Sequence, residues 1–131
     1  MTALTLRLKT KTVEKQRGLI SSIRMDKEVA PISVTTSIGT VLVDCDALSM
    51  TRMQDAIMVW DALDAETVDW TMADNSVKKV TKAELQELYD ATYAARAVRA
   101  AKLHAYAAGL KAQLPVPDNS AFFQEASWVN L

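Results

Sequence analysis

Hydrophobic residues recur at two different spacings in the first part of the chain, and each spacing predicts one kind of element. Leu4, Leu6 and Leu8 alternate with polar residues, and this period of two predicts a short strand at about residues 3–10. Between residues 13 and 29 apolar residues fall at helical spacing, which predicts a helix that ends before Pro31.

The middle of the chain is predicted to contain a β-hairpin followed by an amphipathic helix. β-Branched residues on both sides of Gly39 predict the hairpin over residues 32–44. Apolar residues at three- and four-residue steps then predict one helix ending near Asp64. We expect the side chain of Asp46 or Ser49 to cap its N-terminus.

A second hairpin is predicted where two further apolar segments flank a group of turn-forming residues. Its arms are residues 67–72 and 77–80, and its turn contains Asp74 and Asn75. These two residues tolerate left-handed backbone and accept local hydrogen bonds, which is sufficient reason for their presence in a turn.

A long alanine-rich helix is the dominant feature of the sequence, predicted from about Thr81 to Leu114. Thr81 and Glu84 form a capping box at its start, and Pro115 follows its end. At 1.5 Å per residue it would be about 50 Å long. We therefore predict an α+β fold: a small domain with β-hairpins, one medium helix and one long alanine-rich C-terminal helix.

Apolar side chains form a stripe along one side of this helix. Arg96 and Arg99 interrupt this stripe near its middle. The half before them can cover the hairpins, whereas the half after them has no obvious core. That half needs a partner, or else the aromatic-rich C-terminal tail must fold back on it. We predict a partner-binding set composed of Leu103, Tyr106, Leu110, Leu114, Phe122, Phe123 and Trp128.

Three segments follow from these patterns. Residues 1–40 form an N-terminal strand and helix segment, residues 41–114 a hairpin–helix–hairpin–long helix domain, and residues 115–131 a C-terminal tail. The length fits one ordinary domain.

Charge and composition exclude several classes of partner. The formal net charge is −1, which provides no long-range attraction to nucleic acid or anionic lipid. No stretch approaches the roughly 18 apolar residues of a membrane span. Cys45 is the only cysteine, so an internal disulfide is impossible and we expect a small buried side chain. We expect no nucleic-acid partner and no membrane partner.

Candidate chemistry is sparse. His104 is the only histidine and has no cysteine or histidine at metal-ligand spacing, and none of the three glycines lies in a phosphate-binding pattern. We therefore predict that the protein is not an enzyme and needs no cofactor or metal. A well-formed polar pocket around Trp70 and Asp74 would instead favour an enzyme or ligand-binding module, whereas a tightly packed hairpin there would argue against one.

Several segments in a fixed order resemble a known family. A strand ends in Asp44, a helix opens with Thr-Arg-Met at residues 51–53, a hairpin carries Trp70 and Asp74-Asn75, and a long alanine-rich helix follows. This order resembles the domain of unknown function found in bacteriophage tail-fibre and tail-fibre-assembly proteins. The resemblance covers about residues 40–131, including the tryptophan near the C-terminus, and it provides no catalytic residues to carry over.

The resemblance implies a role in phage assembly. The expected function is a phage tail structural or attachment protein, a fibre- or baseplate-associated component that mediates protein–protein assembly. Its expected partners are other phage tail or fibre proteins and further copies of itself, since such subunits are usually symmetric oligomers. Its expected location is the host cytoplasm before assembly and the virion tail afterwards. The alternative is a tail-fibre assembly chaperone that is not retained in the virion.

Overall fold

Helices alternate with two short β-hairpins in the computed structural model, which describes residues 3–128. The elements in chain order are α1 (Ala3–Val29), β1 (Ile32–Thr36), β2 (Gly39–Val43), α2 (Ala47–Met58), α3 (Trp60–Leu63), β3 (Val68–Thr71), β4 (Val77–Val80), α4 (Lys82–Lys111) and the 3₁₀ helices Ala121–Phe123 and Glu125–Trp128. The predicted α+β class is confirmed.

The chain divides into two compact units. The hairpin unit comprises Val29–Val98, and the helical unit combines Met1–Glu28 with Arg99–Leu131. Helix α4 therefore contributes its first part to the hairpin unit and its last part to the helical unit. The helical unit is built from segments at opposite ends of the sequence.

The strand predicted at residues 3–10 is wrong, because this segment is the beginning of α1. Leucine, lysine and arginine all have good helix propensity, and neither proline nor glycine separates this segment from the helical pattern that follows. The helix predicted over residues 13–29 is confirmed as the rest of α1, which ends at Val29, two residues before Pro31.

Both predicted hairpins are confirmed. In the first, antiparallel pairing runs from Ile32 opposite Val43 to Thr36 opposite Gly39, and Gly39 has the positive φ of 98° that favours glycine. In the second, Val68 pairs with Val80. The Ala73 N–H donates to the Leu42 carbonyl at 2.9 Å, so the end of the second hairpin is attached to the first.

The single helix predicted before Asp64 is divided in two. Helix α2 ends at Met58, and the next residue, Val59, interrupts the helix before α3 with a φ of −99° and a ψ of 13°. Helix α3 ends at Leu63 and is followed by Asp64, which has a left-handed φ of 49°. Asp46 occupies the N-cap position, but within the described part of the chain its side chain makes no capping hydrogen bond. Ser49 lies inside the first turn, so the predicted side-chain cap is wrong.

The long helix α4 begins as predicted. The Thr81 N–H donates to Glu84 Oε1 at 2.9 Å, and the Glu84 N–H donates to Thr81 Oγ1 at 3.2 Å, which completes the capping box. Regular helix ends at Lys111, giving 30 residues and a length of about 45 Å.

The hairpin unit has its own hydrophobic core. It is formed by side chains of both hairpins, the connection from β2 to α2, α2, α3 and the first turns of α4: Val34, Val41, Val43, Cys45, Met50, Met53, Trp60, Met72, Val80, Leu85 and Leu88. Cys45 is fully buried, as expected, and its thiol donates to the Ala30 carbonyl at 3.1 Å. Among the residues described here, no helix is long and apolar enough to cross a membrane.

Candidate functional site

The seven residues predicted to bind a partner lie together in the helical unit, but they form an internal cluster. Leu103, Leu110 and Trp128 are 1%, 5% and 1% exposed and surround Ile20 of α1. The others, Tyr106, Leu114, Phe122 and Phe123, are partly buried against the same cluster.

The prediction assumed that the apolar stripe after Arg99 is uncovered, and in the structure this stripe is covered. The alternative stated with it, a tail that folds back, describes the structure, and α1 supplies a further covering surface that the sequence did not suggest. That these seven residues also contact another protein stays a prediction.

Hydrogen bonds and one ring contact hold the tail in place. The Trp128 indole N–H donates to the Phe122 carbonyl at 3.2 Å, and the Tyr106 hydroxyl donates to the Ser127 carbonyl at 3.1 Å. The rings of Tyr106 and Trp128 meet edge to face, with centroids 4.8 Å apart and planes at 81°. The indole N–H of Trp128 and the hydroxyl of Tyr106 thus both have hydrogen-bond partners.

Gln16 is a second fixing point of the tail. It is fully buried on α1, and its amide N–H groups donate to the Val116 carbonyl at 2.6 Å and to Asp118 Oδ1 at 3.1 Å. Its Oε1 accepts from the Val116 N–H at 3.1 Å. One side-chain amide therefore supplies both the donor and the acceptor that the Val116 backbone requires.

Replacing Gln16 by leucine is expected to release residues around Val116. The substitution keeps the size but leaves a buried N–H and carbonyl unpartnered, at a cost of about 1–3 kcal/mol. Hydrogen exchange at the Val116 amide should accelerate. Gln113→Leu is the matched control, because Gln113 is exposed and its side-chain amide donates locally, to the Gly109 carbonyl at 3.2 Å. Unchanged exchange in Gln16→Leu would contradict this role.

A charged cluster in the helical unit explains why Arg99 interrupts the apolar stripe. Arg99 Nη2 donates to the Glu28 carbonyl at 2.8 Å, in the last turn of α1, where cations and donors stabilise a helix end. The Glu28 carboxylate lies 2.9 Å from Arg24 Nη1 and 2.8 Å from His104 Nε2. His104 thus belongs to a polar side-chain cluster with Arg24 and Glu28. Across residues 3–128, no group of three histidine, cysteine or carboxylate side chains is arranged to hold a metal ion.

A polar cleft of about 380 Å³ opens in the hairpin unit. Its walls come from the end of β2, the first turns of α2, β3 and the second hairpin turn: Asp44, Ser49, Arg52, Met53, Asp69, Trp70, Thr71, Met72 and Asn75. We call it the Trp70 cleft. The condition set for an enzyme or ligand-binding module, a well-formed polar pocket around Trp70 and Asp74, is met only in part, because Trp70 lines the cleft and Asp74 does not.

Local backbone structure positions each wall of the Trp70 cleft. Ser49 and Arg52 are three residues apart on α2 and so share one helix face. Trp70 is half-buried and packs against the core of the hairpin unit, which restrains its ring. Asp69 is held by the opposite strand, where Lys79 Nζ lies 3.0 Å from Asp69 Oδ1. Asn75 has a left-handed φ of 67° in the turn.

Asp74 stabilises the turn that carries Asn75. The Ser76 hydroxyl and backbone N–H donate to Asp74 Oδ1 at 2.6 and 3.0 Å, and these bonds hold the pKa of the Asp74 carboxyl below its ordinary value of 3.8. Because the folded-state pKa is lowered, the stabilisation is present above about pH 4 and is lost as the pH falls through the folded-state pKa.

Replacing Ser76 by alanine is expected to raise the pKa of Asp74 toward its ordinary value, because the hydroxyl is the main cause of the shift. Carbon-detected NMR titration of the Asp74 carboxyl measures this directly. Ser33→Ala, at an exposed strand position of the same unit, should leave that pKa unchanged. An Asp74 pKa unaltered by Ser76→Ala would contradict the turn geometry.

Comparison with known proteins gives one family. No curated protein and no solved structure has significant similarity to the chain. The family model described as a domain of unknown function, DUF4376, matches residues 12–127. The match includes most of α1, which the resemblance drawn from about residue 40 onward left out, and it spans both the Trp70 cleft and the Gln16 contact. The chain belongs to the DUF4376 family.

Proposed function

We propose that this protein is a phage tail structural or attachment protein, a fibre- or baseplate-associated component that acts through protein–protein assembly. The observation that carries the proposal is the resemblance of about residues 40–131 to the domain found in phage tail-fibre and tail-fibre-assembly proteins. The quoted residues Asp44, Arg52, Trp70 and Asn75 all line one cleft of one folded unit, which supports treating them as a connected signature.

Exposed apolar side chains on α2 and α3 provide a surface for such assembly. We call this the α2–α3 face, defined by Met58, Val59 and Leu63 at and after the break between the two helices. Met58 is 76% exposed and Val59 50% exposed, and the two are adjacent at the break between the helices. Grouped apolar residues left on a folded surface are typical of protein interaction sites. The proposed partners are other tail or fibre proteins and further copies of this chain.

The proposed role requires no catalytic residue and no cofactor. It places the protein in the virion tail after synthesis in the host cytoplasm. The alternative, a tail-fibre assembly chaperone, would use the same face transiently and leave the particle.

Quantitative mass spectrometry of purified virions separates these two roles. A structural component should be present at a fixed stoichiometry with the tail proteins, whereas a chaperone should be absent from particles that nevertheless require it for assembly. A purified protein that is monomeric and captures no tail protein from infected cells would contradict both.

A paired substitution tests the α2–α3 face. Met58→Asp with Leu63→Asp should remove tail-protein capture while leaving the fold intact, because both side chains are exposed. Val77→Asp is the control, since Val77 is a comparably exposed apolar residue of the same unit outside this face. Capture that survives the paired substitution would exclude this face as the assembly surface.

A further inference from the structure

We propose that the Trp70 cleft is a binding site for a neutral saccharide, one that packs the apolar face of a sugar ring against Trp70 and hydrogen-bonds through its hydroxyls to the surrounding polar side chains. This site stands on the geometry of the cleft and does not depend on the assembly role.

The size and the aromatic wall of the cleft suit a sugar. Its volume of about 380 Å³ is at the lower end of the range of small-molecule sites, enough for about one or two sugar rings. The C–H groups on one face of a pyranose form an apolar surface that matches an indole. Trp70 offers that indole in a fixed position, since it packs against the core while lining the cleft.

The polar groups match hydroxyls because donors and acceptors are mixed. Asp44 is a carboxylate that accepts hydrogen bonds, Arg52 donates only, and Asn75 does both. A sugar hydroxyl donates one hydrogen bond and accepts others, so it can join a donor side chain to an acceptor side chain. Ser49 and Thr71 add hydroxyls of their own.

The charge of the cleft argues against ionic ligands. The Asp44 carboxylate stands beside the Arg52 guanidinium, so a phosphate or another anion would meet Asp44 as well as Arg52. A cation would meet Arg52, and Lys79 already pairs with Asp69. A neutral polyhydroxyl ligand avoids both conflicts.

Part of the wall is positioned before a ligand arrives. Asn75 is held by the turn that Asp74 and Ser76 stabilise, and Trp70 by its packing against the core of the hairpin unit. Positioned groups lose little entropy on binding. The positioned groups should make binding specific. Because the site is shallow, we expect binding to be weak, with a Kd on the order of 1 mM.

NMR of the full chain with named sugars tests the proposal. The probes are glucose, galactose, mannose, N-acetylglucosamine, maltose and lactose, with inorganic phosphate as the anionic comparison. At least one sugar should shift the indole N–H of Trp70 and the side-chain amide of Asn75 in a saturable way, and phosphate should shift neither. If no sugar shifts these signals at about 100 times that expected Kd, or if phosphate binds there instead, the proposal is wrong.

Substitutions that preserve the fold locate the binding. Asn75→Gly removes the side-chain amide and keeps the left-handed backbone, and Arg52→Met removes the guanidinium from an exposed helix position. Each should weaken binding at least about tenfold, which corresponds to about 1.4 kcal/mol. Asp64→Gly is the matched control, because Asp64 has a similar left-handed φ and lies outside the cleft. Sugar binding unchanged by both cleft substitutions would place it elsewhere and overturn the assignment.

Discussion

Replacing Leu103 by aspartate is expected to unfold the helical unit. The side chain is 1% exposed in the cluster formed with Ile20, Leu110 and Trp128, so the new carboxylate would be buried without a partner. Burying such a charge costs at least about 4 kcal/mol, which is a large part of the stability of a small domain. Chemical denaturation followed by circular dichroism should show a partly unfolded protein without denaturant, while NMR signals of the hairpin unit stay dispersed.

Val98→Asp is the matched control for this result. Val98 is also an apolar residue of α4 but is 56% exposed, so the substitution should change stability by less than about 0.5 kcal/mol. A Leu103→Asp protein that stays fully folded and only loses a binding partner would contradict the internal packing. It would also support the partner-binding set predicted from the sequence.

Truncating Trp128 to alanine is expected to cost about 3–5 kcal/mol. The indole is 1% exposed, makes edge-to-face contact with Tyr106 and donates to the Phe122 carbonyl, and all of these are lost together. The tail should then leave the end of α4. Urea denaturation gives the free energy, and hydrogen exchange should show faster exchange in residues 115–127.

Gln124→Ala is the control for Trp128, because Gln124 is an exposed residue of the same tail whose side chain makes one long hydrogen bond, of 3.4 Å, to the Asn119 carbonyl. Its stability should match that of the parent protein. Equal stabilities of the Trp128→Ala and Gln124→Ala proteins would mean that Trp128 is not packed as described.

Local signals in the sequence predicted the elements of the hairpin unit. The two turns contain residues that tolerate a positive φ, Gly39 and Asn75. The start of α4 contains Thr81 and Glu84, which form reciprocal hydrogen bonds with each other. Such features depend on a few consecutive residues, so turns and caps are predictable without knowledge of the tertiary structure.

The strand prediction for residues 3–10 is wrong because the period of two competes with helix propensity. Leu4, Leu6 and Leu8 alternate with polar residues over a segment too short to distinguish a strand from a helix. In the structure, the helix of residues 13–29 continues backward through this segment. A strand also needs a partner strand, which a short alternating pattern does not identify.

Contacts over long sequence separations could not be predicted. Gln16 lies among charged residues of an unremarkable helix, and only the return of the tail to Val116 gives it a buried role. In the sequence, Arg99 interrupts the apolar stripe of α4 for no evident reason. In the structure, its guanidinium donates to the Glu28 carbonyl at the end of α1. The sequence left open whether a partner or the tail covers the stripe, because apolar periodicity identifies a buried face but not what buries it.

The Trp70 cleft was partly foreseen. Asp44, Arg52 and Trp70 are among the residues that carry the family resemblance. The expected condition for a ligand-binding module, a well-formed polar pocket around Trp70 and Asp74, is met only in part, since Asp74 does not line the cleft. The meeting of Asp44, Arg52 and Trp70 depends on the Ala73 to Leu42 hydrogen bond that joins the two hairpins, and no local pattern predicts that bond.

The central claim is that the apolar end of α4 is covered by this chain's own tail, leaving the Trp70 cleft and the α2–α3 face for other molecules. Nuclear Overhauser effects between the Tyr106 ring and the Trp128 indole, measured on dilute purified protein, test it most directly. With ring centroids 4.8 Å apart, strong cross-peaks are expected without any partner present. Random-coil chemical shifts for Trp128, with such cross-peaks appearing only after a tail protein is added, would contradict the claim.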